Sequence, residues 1–151
     1  MSLITKKFEL IPIKLKDLKL VFSFSNEKDV RKWSLKKKKI LLKDHIIWFK
    51  KRSKEKYFYK FIYNKKCCGL IRIDKSKNKY YLSYLISSKY RGKKFGVIMI
   101  TKFLKKIKKK KIKNIYAVSF VNNVASNVTL FKSGFEIFRV DKKLNIYKAK
   151  I

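Results

Sequence analysis

The stretch SSKYRGKKFGV, residues 87 to 97, constrains this chain more than any other, because the apolar period changes across it. Ahead of it, KYFYKFIYN (56–64), KKCCGLIRID (65–74) and NKYYLSYLISS (78–88) alternate with period two and are rich in aromatic and β-branched residues, the pattern of strands. Polar residues at 64–66 and 75–78 supply the turns, so the three predict an antiparallel meander. After it, Phe95, Met99, Phe103 and Ile107, with Ile98, Ile100 and Leu104, form the wide apolar stripe of a helix. Lysines fill its other face and its end, where the helix dipole favours them. NIYAVSF (114–120) is again a short strand. Elsewhere, FELIPIK (8–14) suits an edge strand, since Pro12 cannot donate to a ladder. Leu15, Leu18, Val21 and Phe22 have helical spacing, followed by a break and a second short turn from Asn26 to Asp29. Residues 41–54 form another helix, 122–135 a capped helix ending at a glycine, and 135–140 and 144–150 the last strands. The order β-α-α-β-β-β-α-β-α-β-β predicts a mixed α/β domain.

A chain of 151 residues predicts one domain, residues 1–151, that buries roughly 68–70% of its unfolded surface. Hydrophobic residues make up 46%, enough for a core, and no proline- or serine-rich linker divides the chain. The 43 Lys and Arg against 9 Asp and Glu give a net charge of +34. A low-GC coding bias accounts for much of the lysine, isoleucine and asparagine but not for the scarcity of acids. Nonspecific attraction to polyanions, whether nucleic acid, a membrane surface or anionic metabolites, follows from the charge. Cys67 and Cys68 are adjacent and lack a His/Cys cluster, so they read as reduced core residues and not as a disulfide or metal site. The N-terminal residues lack a long apolar region and no 18-residue apolar stretch occurs, so the expectation is a cytoplasmic protein without a transmembrane segment.

The turn at 87–97 has a physical reading of its own. A helix opening near Lys94 leaves its first N–H groups without intrahelical partners. The helix dipole adds roughly 0.3–2 kcal/mol in favour of an anion there. Gly92 and Gly96 let a ligand approach the backbone, and Arg91, Lys93 and Lys94 add charge. The stretch fits neither the G-x-x-x-x-G-K-[ST] nor the G-x-G-x-x-G phosphate loop. A turn without a ligand has the same composition.

YRGKKFG, after an apolar strand and before an amphipathic helix, resembles the acetyl-CoA turn of the GNAT superfamily of acyl-CoA-dependent N-acyltransferases, whose pattern is Gln/Arg-x-x-Gly-x-Gly/Ala. Arg91 matches its first position and Gly96 its last, while Lys94 stands where the middle glycine is usual. NNVASNVTLFKSGF resembles a second block of that family, with Asn123, Ser126, Gly134 and Phe135 matching. The two blocks are in register and the resemblance covers residues 5 to 148. It implies a central mixed, mostly antiparallel sheet of about seven strands flanked by about four helices. It also implies acetyl-CoA as cosubstrate, without a metal. Backbone N–H groups of Gly92, Lys93, Lys94, Phe95, Gly96 and Val97 are then expected to cradle the diphosphate. Tyr84 to Ile86, with Leu85 between them, would pair with the pantetheine arm, and Arg91, Asn123 and Ser126 would contact the cofactor.

SNEKDVRKWSLKKKKILLKDHIIWFKK, CGLIRID and YLSYLISSKYRG resemble GNAT enzymes that acetylate a nucleotide-linked amino sugar in surface-polysaccharide pathways toward pseudaminic or legionaminic acid. That resemblance implies a small-molecule amine partner, leaves room for a homodimer, and makes Asn26, Arg31, Trp33 and Arg72 the acceptor-site candidates, with arginine shaped for phosphate. For the proton, many relatives carry a glutamate where Val118 stands and a tyrosine where Leu130 stands, beside Phe131. His45 is the single histidine, with an ordinary pKa of about 6.5. It is the expected proton carrier, and Tyr84 and Ser119 are the alternatives that orient water. A GNAT acting on a protein or peptide amine, and a non-catalytic basic binding module, are the competing readings.

Overall fold

The computed structural model describes residues 7–151. Residues 1–6, part of the expected 1–151 domain, lie outside the described residues. Seven strands form one sheet in the order β1-β2-β3-β4-β5-β7-β6, where β1 is Phe8–Pro12, β2 Phe58–Tyr63, β3 Lys66–Ser76, β4 Lys79–Ile86, β5 Asn114–Phe120, β6 Glu136–Asp141 and β7 Leu144–Lys150. Among the described residues five α-helices flank it: α1 Leu18–Ser25, α2 Lys28–Lys32, α3 Leu42–Arg52, α4 Phe95–Ile107 and α5 Val124–Lys132. Short 3-10 turns cover Leu15–Asp17 and Ser88–Tyr90. The sequence expectation of about four helices becomes five because the short turn after Asn26 closes as α2.

The meander of β2, β3 and β4 forms as the period-two runs predict. Its two hairpins each use a two-residue turn with positive φ at both positions, Asn64 and Lys65 (48° and 67°) and Lys77 and Asn78 (48° and 65°). That mirror-image turn matches the natural strand twist. β1 sits at the sheet edge, and Pro12 closes it. Every neighbouring pair is antiparallel except β4 and β5, which α4 connects by a crossover.

The alternation of each strand feeds two cores. On one face Phe61, Cys68 and Ile71 pack under α4 residues Met99, Ile100 and Phe103 and α5 residue Leu130. On the other, Phe58 and Leu70 pack under Val21 of α1 and Phe49 of α3. Leu70 and Ile71, adjacent in sequence, thus serve opposite layers, as the pleat requires. Both cysteines are free, Cys68 buried and Cys67 half-buried. Burial pushes the Cys67 thiol up to about 11 and the Cys68 thiol up to about 12, so both stay protonated at neutral pH.

Candidate active site

β4 and β5 run parallel but pair only at Tyr81–Tyr116 and Leu82–Ala117. Each keeps its other neighbour well beyond that point: β4 stays on β3 as far as Ile86, and β5 on β7 as far as Phe120. The two strands therefore diverge past Leu82, and the β5-facing edge of β4 has no strand beside it there. A cleft of about 470 Å³ occupies the wedge. Tyr84, Leu85 and Ile86 line one side, Val118 and Ser119 the other. Asn123, Ser126 and Thr129 of α5 and Val30 and Trp33 of the α2 segment complete it.

The N-terminus of α4 opens onto this cleft, where Gly92, Lys94, Phe95, Gly96 and Val97 border it. The first helical bond runs from the Ile98 N–H to the Lys94 carbonyl at 3.3 Å, and no side chain caps the end. The N–H groups of Phe95, Gly96 and Val97 therefore lack intrahelical partners. Gly92 takes φ +74°. Lys94 takes φ 63° and ψ 15°, the left-handed conformation, at a cost of about 1–2 kcal/mol for a residue with a Cβ. A glycine suits that position, and the lysine adopts the glycine's backbone anyway. The side chain of Phe95 turns into the core against Phe8 and Tyr63, so only its main chain faces the cleft. Lys93 is exposed beside the Tyr90 ring, outside the cleft lining.

Gly96 has a different use from the one its sequence suggests. A Cβ there would stand 2.9 Å from Thr129 Cγ2, so its missing side chain lets α4 approach α5 and does not open room for a ligand. Arg91 is also engaged: its Nε donates to the Ile86 carbonyl at 3.0 Å and its Nη1 pairs with Asp29 Oδ2 at 2.8 Å. Beside it, the Glu27 carboxylate accepts from Ser87 Oγ at 2.5 Å and from the Ser88 N–H at 3.1 Å. Two acids two residues apart thus fasten the start of α2 to the end of β4. Sequence reasoning missed both, since their partners lie about sixty positions away and no local period marks them.

Tyr84 donates or accepts at Ser126 Oγ, 2.9 Å away. Burial pushes its phenol up to about 12, against hydrogen bonds with Ser126 and Thr129. It therefore stays neutral and orients neighbours. Asn123 caps α5, its Oδ1 accepting from the Ser126 N–H at 3.3 Å. Ser119 is buried at the cleft wall with only a 3.5 Å contact to the Phe120 carbonyl.

The sequence pattern of the acetyltransferase (GNAT) domain matches residues 7–136. The chain belongs to the GNAT acetyltransferase family. No curated protein matches it. Solved structures share the GNAT fold. A domain from Methanocaldococcus jannaschii DSM 2661 superposes with a TM-score of 0.80 at 19% identity, covering 97% of this chain and 99% of that one. The microcin C7 self-immunity acetyltransferase MccE, in complex with acetyl-CoA and AMP, does so with 0.75 at 19%, covering 96% and 93%. AAC(6')-Ib, in complex with paromomycin and acetyl-CoA, gives 0.80 at 13%, covering 95% and 93%.

Within this GNAT frame the usual proton-handling positions carry no titratable group. Val118 presents a methyl surface to the cleft, Leu130 is fully buried and Phe131 points outward, 73% exposed. His45 does not replace them. It is 2% exposed, packed among Phe22, Trp48 and Phe49, and its Nε2 donates to the Leu18 carbonyl at 3.0 Å. The expectation of a histidine proton carrier is corrected on that ground: the imidazole has no exit to the cleft. Three of the four acceptor candidates are likewise spent on structure. Asn26 exchanges both amide atoms with the Ile40 backbone, at 3.0 and 2.8 Å. Arg31 donates to the carbonyls of Ser25, Lys36 and Lys38. Arg72 pairs with Asp74 and lies over the Trp48 ring. Trp33 alone of the four reaches the cleft. Among the described residues no group of His, Cys, Asp or Glu could hold a metal ion, and no helix is long and apolar enough to cross a membrane.

Proposed function

We propose that the chain, as a single domain, transfers the acetyl group of acetyl-CoA to the amine of an anionic small molecule of the nucleotide-linked amino-sugar type. The observation that carries this reading is the meeting, in one cleft, of the open amides of Phe95, Gly96 and Val97 with the unpaired edge of β4. The amides and the dipole of α4 suit a diphosphate. The strand edge suits an extended amide-bearing arm, which hydrogen-bonds like an added strand. The arm leads toward Tyr84 and Ser119, where the thioester would lie.

Acetyl-CoA supplies an activated acyl carbon. The amine nitrogen bonds to that carbon, the C–S bond breaks, and the sulfur leaves as a thiolate that takes a proton from water. The nitrogen's proton passes to water through the open side of the cleft, since no side chain there serves as a base. Tyr84, fixed by Ser126, and Ser119 hold that water in place. Main-chain N–H groups near Ile86 stabilise the oxyanion.

The cleft is positively charged: Lys94 and Lys132 line it, while its one carboxylate, Asp29, is neutralised by Arg91. Lys32 lies over the Trp33 ring and Lys37 over Phe120 beside it, each at 5.0 Å. Such a mouth repels polyamines and attracts phosphate-bearing amines. The test is thiol release from acetyl-CoA with a panel of nucleotide-linked amino sugars, peptides with free amines, and polyamines. Turnover with the first group supports the reading; turnover confined to peptides replaces the acceptor. Tight acetyl-CoA binding with no turnover on any amine leaves a binding module instead.

A further inference from the structure

No aspartate or glutamate occurs between Asp74 and Glu136, a span that contains the whole of α4. Seven of the fifteen lysines of that span gather at the end of α4 remote from the cleft, about 20 Å away for a helix of this length. Lys105, Lys106, Lys108, Lys109, Lys110, Lys111 and Lys113 are all exposed. The two apolar residues among them, Ile107 at 1% exposure and Ile112 at 5%, are buried in the core. They pin the segment at both ends, and the Lys110 N–H closes a turn on the Ile107 carbonyl at 2.9 Å. The lysines are therefore displayed on a fixed platform and not on a loose tail. None of the ion pairs among the described residues uses them. Capping a helix dipole takes one or two cations. Seven within about a Debye length of one another repel, and no ion pair among the described residues relieves them.

We propose that this end of α4 is a docking surface for the phosphate backbone of a double-stranded nucleic acid. The side chains decide the class of partner. The patch has no arginine to read a base bidentately, so contact is to the backbone and independent of sequence. It exposes no aromatic ring on which unstacked bases could lie, which disfavours single strands. It exposes no large apolar side chain to enter a bilayer, so contact with a membrane would rest on headgroup charge alone, which the vesicle arm of the test separates from duplex binding. Its distance from the cleft makes it independent of acetyl transfer.

The test compares two variants of equal net charge in the full chain: Lys108, Lys109, Lys110 and Lys111 all changed to Gln, and Lys19, Lys43, Lys50 and Lys54, exposed and outside the cleft lining, all changed to Gln. Fluorescence polarisation with labelled duplex RNA, duplex DNA and single-stranded probes of arbitrary sequence is read across a salt series. Vesicles with and without phosphatidylserine form a parallel arm. The first variant is expected to weaken duplex binding at least tenfold at 0.15 M salt and to shallow the salt slope by about 4, while the second changes affinity less than threefold. Unchanged thermal melting and coenzyme A affinity in both variants confirm that they fold. Equal losses in the two variants overturn the proposal, because net charge alone then accounts for binding. So does a wild-type chain that prefers single strands, or one that binds anionic vesicles through these lysines without binding duplexes.

Discussion

Three residues of the glycine turn carry three different constraints. A Cβ on Gly92 would meet no atom within 4 Å, so Gly92→Ala costs only backbone strain, about 1–2 kcal/mol. Gly96→Ala instead drives a methyl against Thr129 Cγ2, an overpacking cost of about 1–3 kcal/mol. Thr129→Ser removes that methyl and is expected to recover most of the Gly96→Ala loss and none of the Gly92→Ala loss, measured by denaturant unfolding of the single and double variants. Equal rescue of both would contradict the assignment. Sequence located this turn because glycines are scarce and the period changes there. It could not tell a glycine that admits a ligand from one that admits a helix, since the deciding atom lies on Thr129, 33 positions on. Tyr84 makes a further residue-scale prediction. With its phenol at about 12 and no other titratable base beside the thioester, the pH profile of acetyl transfer has a single rising limb. Only the neutral amine attacks, so that limb follows the pKa of the acceptor itself and shifts when the acceptor is changed; a limb fixed at one pH across acceptors would reveal an enzyme base.

Among the elements, α1 and α3 meet through His45. Burial lowers the pKa of its imidazole in the fold, against a smaller opposite pull from the Leu18 carbonyl. The unfolded chain therefore takes up a proton, as pH falls below about 6.5, that the folded chain resists. The stabilising contribution is present above that pH and lost below it. His45→Gln, which can keep a donor on Leu18, is expected to give a melting temperature that declines less between pH 7.5 and 5 than in the parent. The helical period of 41–54 placed His45 on a helix correctly. It could not say that this side chain turns inward, because an imidazole suits a core or a cleft equally and the choice depends on α1. For the same reason the meander, α4 and α5 were legible from period and caps. The ties from Glu27 and Asp29 to the end of β4 were not.

At the scale of the molecule, the charge of +34 is distributed with a purpose the composition alone does not reveal. Asp17 and Asp74 are bound to Lys60 and Arg72 in the body of the fold, and Asp29 is bound to Arg91 at the cleft. Under the proposed function the mouth beside Trp33 is cationic, so selection between acceptors is electrostatic. The ratio of kcat/KM for an anionic over a polycationic amine is expected to fall severalfold when salt is raised from 0.05 to 0.5 M, as screening shortens the range of the field. A ratio indifferent to salt would assign selection to contacts within the cleft.

The central claim is that the open start of α4 and the freed edge of β4 form one binding surface for coenzyme A. A crystal structure of the chain with coenzyme A tests it directly. The account predicts diphosphate oxygens about 2.7–3.2 Å from the amides of Phe95, Gly96 or Val97, with the pantetheine arm running along Tyr84 to Ile86. Coenzyme A bound elsewhere, with those amides facing only solvent, would contradict it.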